Sequence, residues 1–287
     1  FASDLLVLHN PCGDLWHMKA GRVLQQPLSW RKVLFALELS NNFRGIGWNF
    51  ELRSLQSSIP QSRVRFLMQQ VVRGMSAWML VDITQTIFRH RTACHIDGSI
   101  FKDGPAWQSV YVLAGWTNVA GGLVVPHVIA AAITVGLGLY RPEDWPSLFR
   151  LREGYTVRRF WGRAWHHLFR RFLTSNSQFV SRHVLGLQKG NPLLPYVELY
   201  LAFFLSGIVH WVGTYAMLRQ YTAPNMTLLF FLLQATVIAL EDFVVAFGKR
   251  MGIKDSWWVR LLGYVWVAVW MVVLTPVRTE PLIKAGY

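Results

Sequence analysis

Gly104–Tyr140 reads GPAWQSVYVLAGWTNVAGGLVVPHVIAAAITVGLGLY, a stretch without one Asp, Glu, Lys or Arg. About 20 apolar residues suffice to cross the hydrocarbon core of a bilayer as a helix. The block Trp107–Leu139 is too long for one ordinary span, and Gly121, Gly122 and Pro126 interrupt its middle. Two readings stay open for it: a helical hairpin, or one tilted or broken helix. Charge is absent again over Gln220–Leu240 and over Leu261–Val277. A soluble chain of 287 residues can bury one such helix, but hardly four or five. The expected fold class is all-α, a polytopic transmembrane helical bundle.

Outward from that block, residues 1–65 read as a polar, basic segment with turns at Asn10-Pro11 and Pro60. Phe66–Phe88 is a candidate first span; Arg73 and Asp82 within it should face protein rather than lipid. Further spans are expected over 196–218, 226–248 and 257–275, with 276–287 as a tail. The transmembrane core is thus 66–275. The chain opens on Phe1, and its first thirty residues lack the apolar core of a signal peptide, so further N-terminal sequence carrying additional spans is expected.

Only 15% of residues are charged, against roughly 25% in soluble domains, and the net charge is +14. Such a balance suits nucleic-acid binding, but the arginines fall in loops between apolar runs, so no nucleic-acid partner is expected. Ten Arg and Lys residues lie between Tyr140 and Pro195, and Lys249, Arg250 and Lys254 lie in a later loop. The positive-inside rule puts both loops in the cytosol. Cys12 and Cys94 form no disulfide framework.

His210 sits in an otherwise apolar span. A titratable side chain at that depth is costly and normally faces a cavity or a partner. Ser206, His210 and Thr214 recur every four residues and share a helix face that reads as the lining of a polar cleft. The imidazole suits a general base; an interhelical hydrogen bond is the bland alternative. Gln234 and Glu241 also share a face and either pair structurally or line the same cleft.

Arg158–Leu173 (RRFWGRAWHHLFRRFL) has helical amphipathicity. Arg159, Arg163, His166 and Arg170 fall on one side, with Trp161, Ala164, Leu168 and Phe172 opposite. An amphipathic helix lying in the membrane interface is expected, bound to headgroups or offering a polyanion site. His90, Cys94 and His95 have ligand-like spacing, yet di-iron chemistry needs several histidine boxes, so no metal is expected. His127 follows Pro126 and is read as capping a helix break. His9 and Asp14 show a His-x4-Asp spacing without supporting blocks, and no P-loop or nucleophile elbow occurs.

The segment Trp161-Gly162-Arg163-Ala164-Trp165-His166, followed some forty residues later by the lone His210, resembles the membrane-bound O-acyltransferases. It is most similar to their wax-synthase-type branch, including fungal secondary-metabolite acetyltransferases. Arg44-Gly45-Ile46-Gly47-Trp48-Asn49-Phe50 and Pro142–Phe149 (PEDWPSLF) add to the likeness; His167 departs from the Gln usual at that position. The resemblance implies transfer of an acyl group, acetyl being favoured, from acyl-CoA to a hydroxyl of a lipophilic acceptor such as a terpenoid. It implies no permanently bound cofactor, and it makes His210 the catalytic base with His166 as its polar partner. Arg163 and Trp165 would position the thioester or its oxyanion. Arg158, Arg159 and Arg170 would meet the phosphates of acyl-CoA, and Ser206, Thr214 and Glu241 would line the cleft. A multi-pass protein of the endoplasmic reticulum is expected. Long-chain wax-ester synthesis, or transport through broken helices with buried charges, are the alternatives.

Overall fold

The computed structural model describes residues 11–22, 27–51, 60–91, 98–218 and 224–284. Within them the chain is helical, without a ladder of strands: α1 (Pro11–Asp14), α2 (Trp30–Asn41), α3 (Arg63–His90), α4 (Gly104–Gly136), α5 (Val157–Arg159), α6 (Arg170–Phe179), α7 (Leu194–Leu218), α8 (Pro224–Arg250) and α9 (Trp257–Lys284). Four of these, α4, α7, α8 and α9, are long and apolar enough to cross a membrane. With the breadth of their lipid-facing apolar surface, they make the chain a multi-pass integral membrane protein.

The block 104–136 is one continuous helix, despite Pro126. The helix α3 packs along α4. It covers the expected first span, but Gln69, Gln70, Arg73, Asp82 and Gln85 leave it outside the four apolar ones. Its N-terminus is capped by Ser62, whose side chain accepts from the Arg65 amide.

Residues 276–284 are not a tail: α9 runs on to Lys284 through Pro276 and Pro281. Proline at 276 has no N–H for the Val272 carbonyl four residues back. That carbonyl accepts instead from the Gln108 side chain of α4 at 3.2 Å. A neighbouring helix thus satisfies the backbone group that proline releases, which is how such helices survive in lipid. Trp116 of α4 donates to the Thr275 hydroxyl of α9 at 3.0 Å, on the same seam.

Arg158–Leu173 does not form the single interfacial helix expected. Residues Phe160–Ala164 make a widened π turn closed by Trp165 N–H to Phe160 C=O at 2.8 Å, and Trp165 is extended. The amphipathic helix proper begins only at Arg170. A continuous helix would spread Ala164, Trp165 and His167 around its circumference, yet all three are buried. The break resolves this, and the carbonyl of Gly162 that it frees accepts from Arg170 and contacts the His167 ring at 3.1 Å.

The 141–193 segment caps one end of the bundle. Tyr264, near the start of α9, donates to the carbonyl of Arg152 at 2.8 Å, and Glu241, near the end of α8, meets residues 157 and 158. The N-terminal segment docks there too. Its small core of Leu15, Leu39 and Trp48 is held by His17–Trp48 pairing. Arg44 donates to the carbonyls of Pro146 and Ser147, at 2.7 and 2.8 Å. His9, Cys94 and His95 lie outside the described residues.

Packing of α3 on α4 turns on Gly121, where an added Cβ would clash with a Val81 methyl; at Gly122 it would meet open space. Gly121→Ala is expected to destabilise by about 1–3 kcal/mol. Gly122→Ala should leave the thermal midpoint in detergent nearly unchanged, and equal shifts for the two would refute the close approach.

Candidate active site

The site grows from one anchored turn. Glu241 of α8 is only 4% exposed, and its carboxylate accepts the backbone N–H groups of Val157 and Arg158 at 2.7 and 3.0 Å. Thr156 caps the same turn by accepting from the Arg159 amide at 3.0 Å. Together they satisfy the unpaired donors at a helix start, and the negative carboxylate sits at the positive end of the turn. The chain is thereby fixed against α8 just before the π turn.

The π turn then delivers Trp161 into the bundle. Its indole N–H donates to the Gln234 side-chain oxygen at 3.1 Å, and Gln234 is fully buried. Trp161 touches Phe203 of α7 and Phe231 of α8, with ring centroids 5.8 and 6.4 Å apart. On its other side, Trp165 stacks with Phe160 at 5.6 Å and meets Trp116 edge-on at 4.8 Å. The result is an aromatic wall built from α4, α7, α8 and the π turn.

His210 stands at one end of that wall. Its ring stacks on Phe231 at 4.8 Å and 18°. Thr214 donates to the His210 carbonyl at 3.0 Å, so this hydroxyl is turned to the backbone. Ser206 is partly exposed on the same helix face. His166 stands at the other end, 5.4 Å from the Trp165 ring, with its Nδ1 buried and without a hydrogen-bond partner among the described residues. A chain of ring contacts, from Phe231 through Trp161 to Trp165, links His210 to His166. The structure therefore brings together His210, His166 and Trp165.

Burial pushes the His166 pKa down to about 4, with the charges of His167 and Arg44 adding to the effect. Burial does the same to His167, also to about 4; its bond to Gly162 opposes the shift and Arg170, Arg44 and Arg150 reinforce it. Both imidazoles are neutral at pH 7.

Other expected residues lie apart from this pair. Arg163 is exposed at the rim, 3.8 Å from Glu153. Arg159 pairs with Glu153 and lies over the Tyr155 ring. Arg158 forms a bidentate pair with Asp242, at 2.9 and 2.5 Å. Arg170 is turned to the Gly162 carbonyl, and burial lowers its pKa. Arg159, Arg163, His166 and Arg170 do not form one basic helix face, because the chain is extended at Trp165 and α6 starts afresh at Arg170. Glu241 anchors backbone rather than lining open space. His127, read as a cap, packs edge-on against Trp145 at 5.1 Å.

Sequence reading misses Trp116, Phe231 and Arg278. The first two are aromatic residues among many, with no local mark. Arg278 falls beyond the expected end of its span at residue 275.

A family model described as the membrane bound O-acyl transferase family matches residues 145–233, which contain the anchored turn, His166 and His210. The chain is 35% identical over 279 residues to "Acetyltransferase ple2" of Rhodocybe pseudopiperita, covering 96% of this chain and 73% of that protein. It is 30% identical over 294 residues to "Acetyltransferase eriL" of Hericium erinaceus, covering 99% and 75%. It is also 32% identical over 273 residues to "Acetyltransferase sirH" of Emericella nidulans, covering 89% and 60%. No solved structure matches the chain.

The anchored turn and the neutral rings can each be tested. Glu241→Gln sets an amide NH2 against one of the two backbone donors, and should cost about 1–3 kcal/mol, seen as a lower thermal midpoint. Asp242→Asn, which removes only the partly exposed pair with Arg158, should cost less than about 1 kcal/mol. His166 and His167 are depressed below the free value near 6.5, so the unfolded chain binds more protons between about pH 4 and 6.5. Their contribution is complete above pH 6.5 and is lost as pH falls toward 4. Thermal midpoints should drop across that window, and less steeply in His166→Gln; an unchanged slope would refute burial of a neutral ring.

Proposed function

The chain belongs to the membrane-bound O-acyltransferase family and is an enzyme, and from that premise we propose that it acetylates a hydroxyl of a lipophilic acceptor, using acetyl-CoA as donor. The observation that carries this reading is the pair of imidazoles at the two ends of one aromatic wall, His210 on a membrane-spanning helix and His166 beside the π turn. A terpenoid-like alcohol would partition into the bilayer and enter between helices. The donor would arrive from the side that carries the basic 141–193 segment.

In this mechanism His210 takes the proton of the acceptor hydroxyl. The oxygen attacks the thioester carbon and a tetrahedral oxyanion forms. Its collapse breaks the carbon–sulfur bond and releases the coenzyme A thiolate, which recovers the proton from His210. The ring is suited to this: among the described residues none hydrogen-bonds it, and Phe231 holds its plane. His166 and Trp165 are the groups proposed to position the thioester and its developing charge. Arg163 belongs to the entrance, where its exposed guanidinium meets the donor before the wall does. Of the arginines assigned to the donor's phosphates, Arg158 and Arg159 would have to exchange Asp242 and Glu153 for phosphate. Arg170 would not, since it holds only a carbonyl. The endoplasmic reticulum is the proposed location, where both substrates are within reach.

A short acyl group is favoured by the names of the relatives, all acetyltransferases. A long-chain donor is the second reading, on the apolar groove that α7 and α8 present between Tyr196, Tyr200, Phe204 and Leu232.

Membranes bearing the protein, incubated with a panel of terpenoid alcohols, should release coenzyme A from acetyl-CoA faster than from palmitoyl-CoA. His210→Ala should lower turnover by about 10²–10⁴ with the thermal midpoint retained. Near-normal turnover of that variant would overturn the base assignment. Preference for palmitoyl-CoA would replace the acetyl reading.

A further inference from the structure

The interior of the bundle holds donors without acceptors. Among the described residues, every buried side-chain atom without a hydrogen-bond partner is a nitrogen. Four of them are uncharged groups on the membrane-spanning helices: the Gln234 amide of α8, and the indole N–H groups of Trp211 on α7 and of Trp266 and Trp270 on α9. An indole N–H and a carboxamide NH2 can only donate. In the hydrocarbon region water does not answer such a donor, so leaving it unpaired is costly.

Gln234 is the sharpest case. It is fully buried. Phe230, Phe231, Val237 and Ile238, its neighbours three and four residues away on α8, all belong to the buried apolar cluster of the bundle. Chemistry sets the orientation of its amide. The Trp161 indole donates to Gln234 at 3.1 Å and cannot accept, so the amide oxygen must face it. The NH2 is then held on the other edge of the amide, buried and without an acceptor. The bond that brings Trp161 into the bundle thus fixes a spare donor in an apolar wall.

Helix geometry gives the depth of this donor. Phe231, on which His210 stacks, is three residues back along α8, a rise of about 4.5 Å. Glu241, at the capped end of the bundle, is seven residues on, a rise of about 10 Å. On α9, Tyr264 marks the same end through its bond to the Arg152 carbonyl, and Trp270 follows six residues later, a rise of about 9 Å. Gln234 and Trp270 therefore stand at one depth, and Trp270 packs against the cluster that contains Phe231. Trp266 meets Trp270 edge-on at 5.5 Å, and a ring face is a weak substitute for an oxygen.

We propose that the acceptor carries a second oxygen besides the hydroxyl that is acetylated, and that the Gln234 amide, with Trp270 at the same depth, donates a hydrogen bond to it. The place of the hydroxyl at His210 rests on the acyl transfer proposed above. A ketone, ether or ester oxygen fits Gln234. A second hydroxyl fits less well, since among the described residues no buried side-chain oxygen stands unpartnered to take its proton. The acceptor is then an oxygenated lipophilic alcohol. A hydrocarbon chain ending in one hydroxyl would leave Gln234 unpaired.

The test uses fused-ring terpenoid keto alcohols, each matched with the alcohol in which CH2 replaces the carbonyl. Both are titrated against the full chain in phosphatidylcholine nanodiscs, with affinities referred to ligand dissolved in the lipid. The wild-type protein should favour the keto alcohol by at least about tenfold, because a site built to hydrogen-bond an oxygen rejects the analogue lacking it. Gln234→Met, close in volume but without a donor, should bring that preference down toward one. Trp161→Phe also removes the bond between Trp161 and Gln234 but keeps the amide, and should retain the preference. No saturable binding of any keto alcohol, an equal preference in wild type and Gln234→Met, or loss of the preference in both variants overturns the proposal. If Gln234→Met keeps the preference but binds acetyl-CoA at least about tenfold more weakly, the amide serves the donor's carbonyl, which overturns it as well. A Gln234-dependent preference without acetyl transfer would sink the reaction proposed above and leave this site standing. Acetyl transfer without the preference would sink this site alone.

Discussion

The buried carboxylate of Glu241 holds the architecture together. A negative charge on a membrane helix is tolerable only where donors meet it, and here two backbone amides of another segment do so. That bond fixes where residues 157 and 158 meet α8. Everything downstream depends on this register: the π turn, the entry of Trp161, its bond to Gln234 and the exposure of Phe231 to both Trp161 and His210. The site is therefore assembled by an extramembrane segment inserted into a bundle, rather than by the bundle alone.

A second constraint acts from the N-terminal side. Arg44 ties the Phe43–Phe50 loop to Pro146 and Ser147, so two blocks about a hundred residues apart in sequence meet through one side chain. Burial keeps the neighbouring His166 and His167 neutral, and the buried charge of Arg44 adds to the effect. Neutral rings can accept protons and carry no charge into an apolar site.

Much of the fold is legible in the amino-acid pattern. Charge-free runs are a local property, and hydropathy over about 20 residues decides membrane insertion almost independently of neighbours. His210 is legible for a related reason, since an ionisable residue in such a run has few bland explanations. The Trp-Gly-Arg-x-Trp-His block stands out as a pattern, though its helical periodicity misleads. Amphipathicity describes a straight helix, and burial of Ala164, Trp165 and His167 outweighs it.

Hydropathy alone therefore assigns the chain to a bilayer, marks the runs that cross it and singles out the histidine within one, because transfer from water to lipid sums over neighbouring residues. Packing in three dimensions settles the rest. Gln108 supplies the donor that Pro276 lacks, so α9 continues to Arg278 and beyond. Glu241 turns to backbone, Arg158 and Arg159 pair with acids, and Arg44 and Arg170 turn to backbone carbonyls. Each of these is a choice of partner between residues distant in the chain. Hydrogen bonds and ion pairs are short-ranged, so no local pattern names the partner until packing brings the two together.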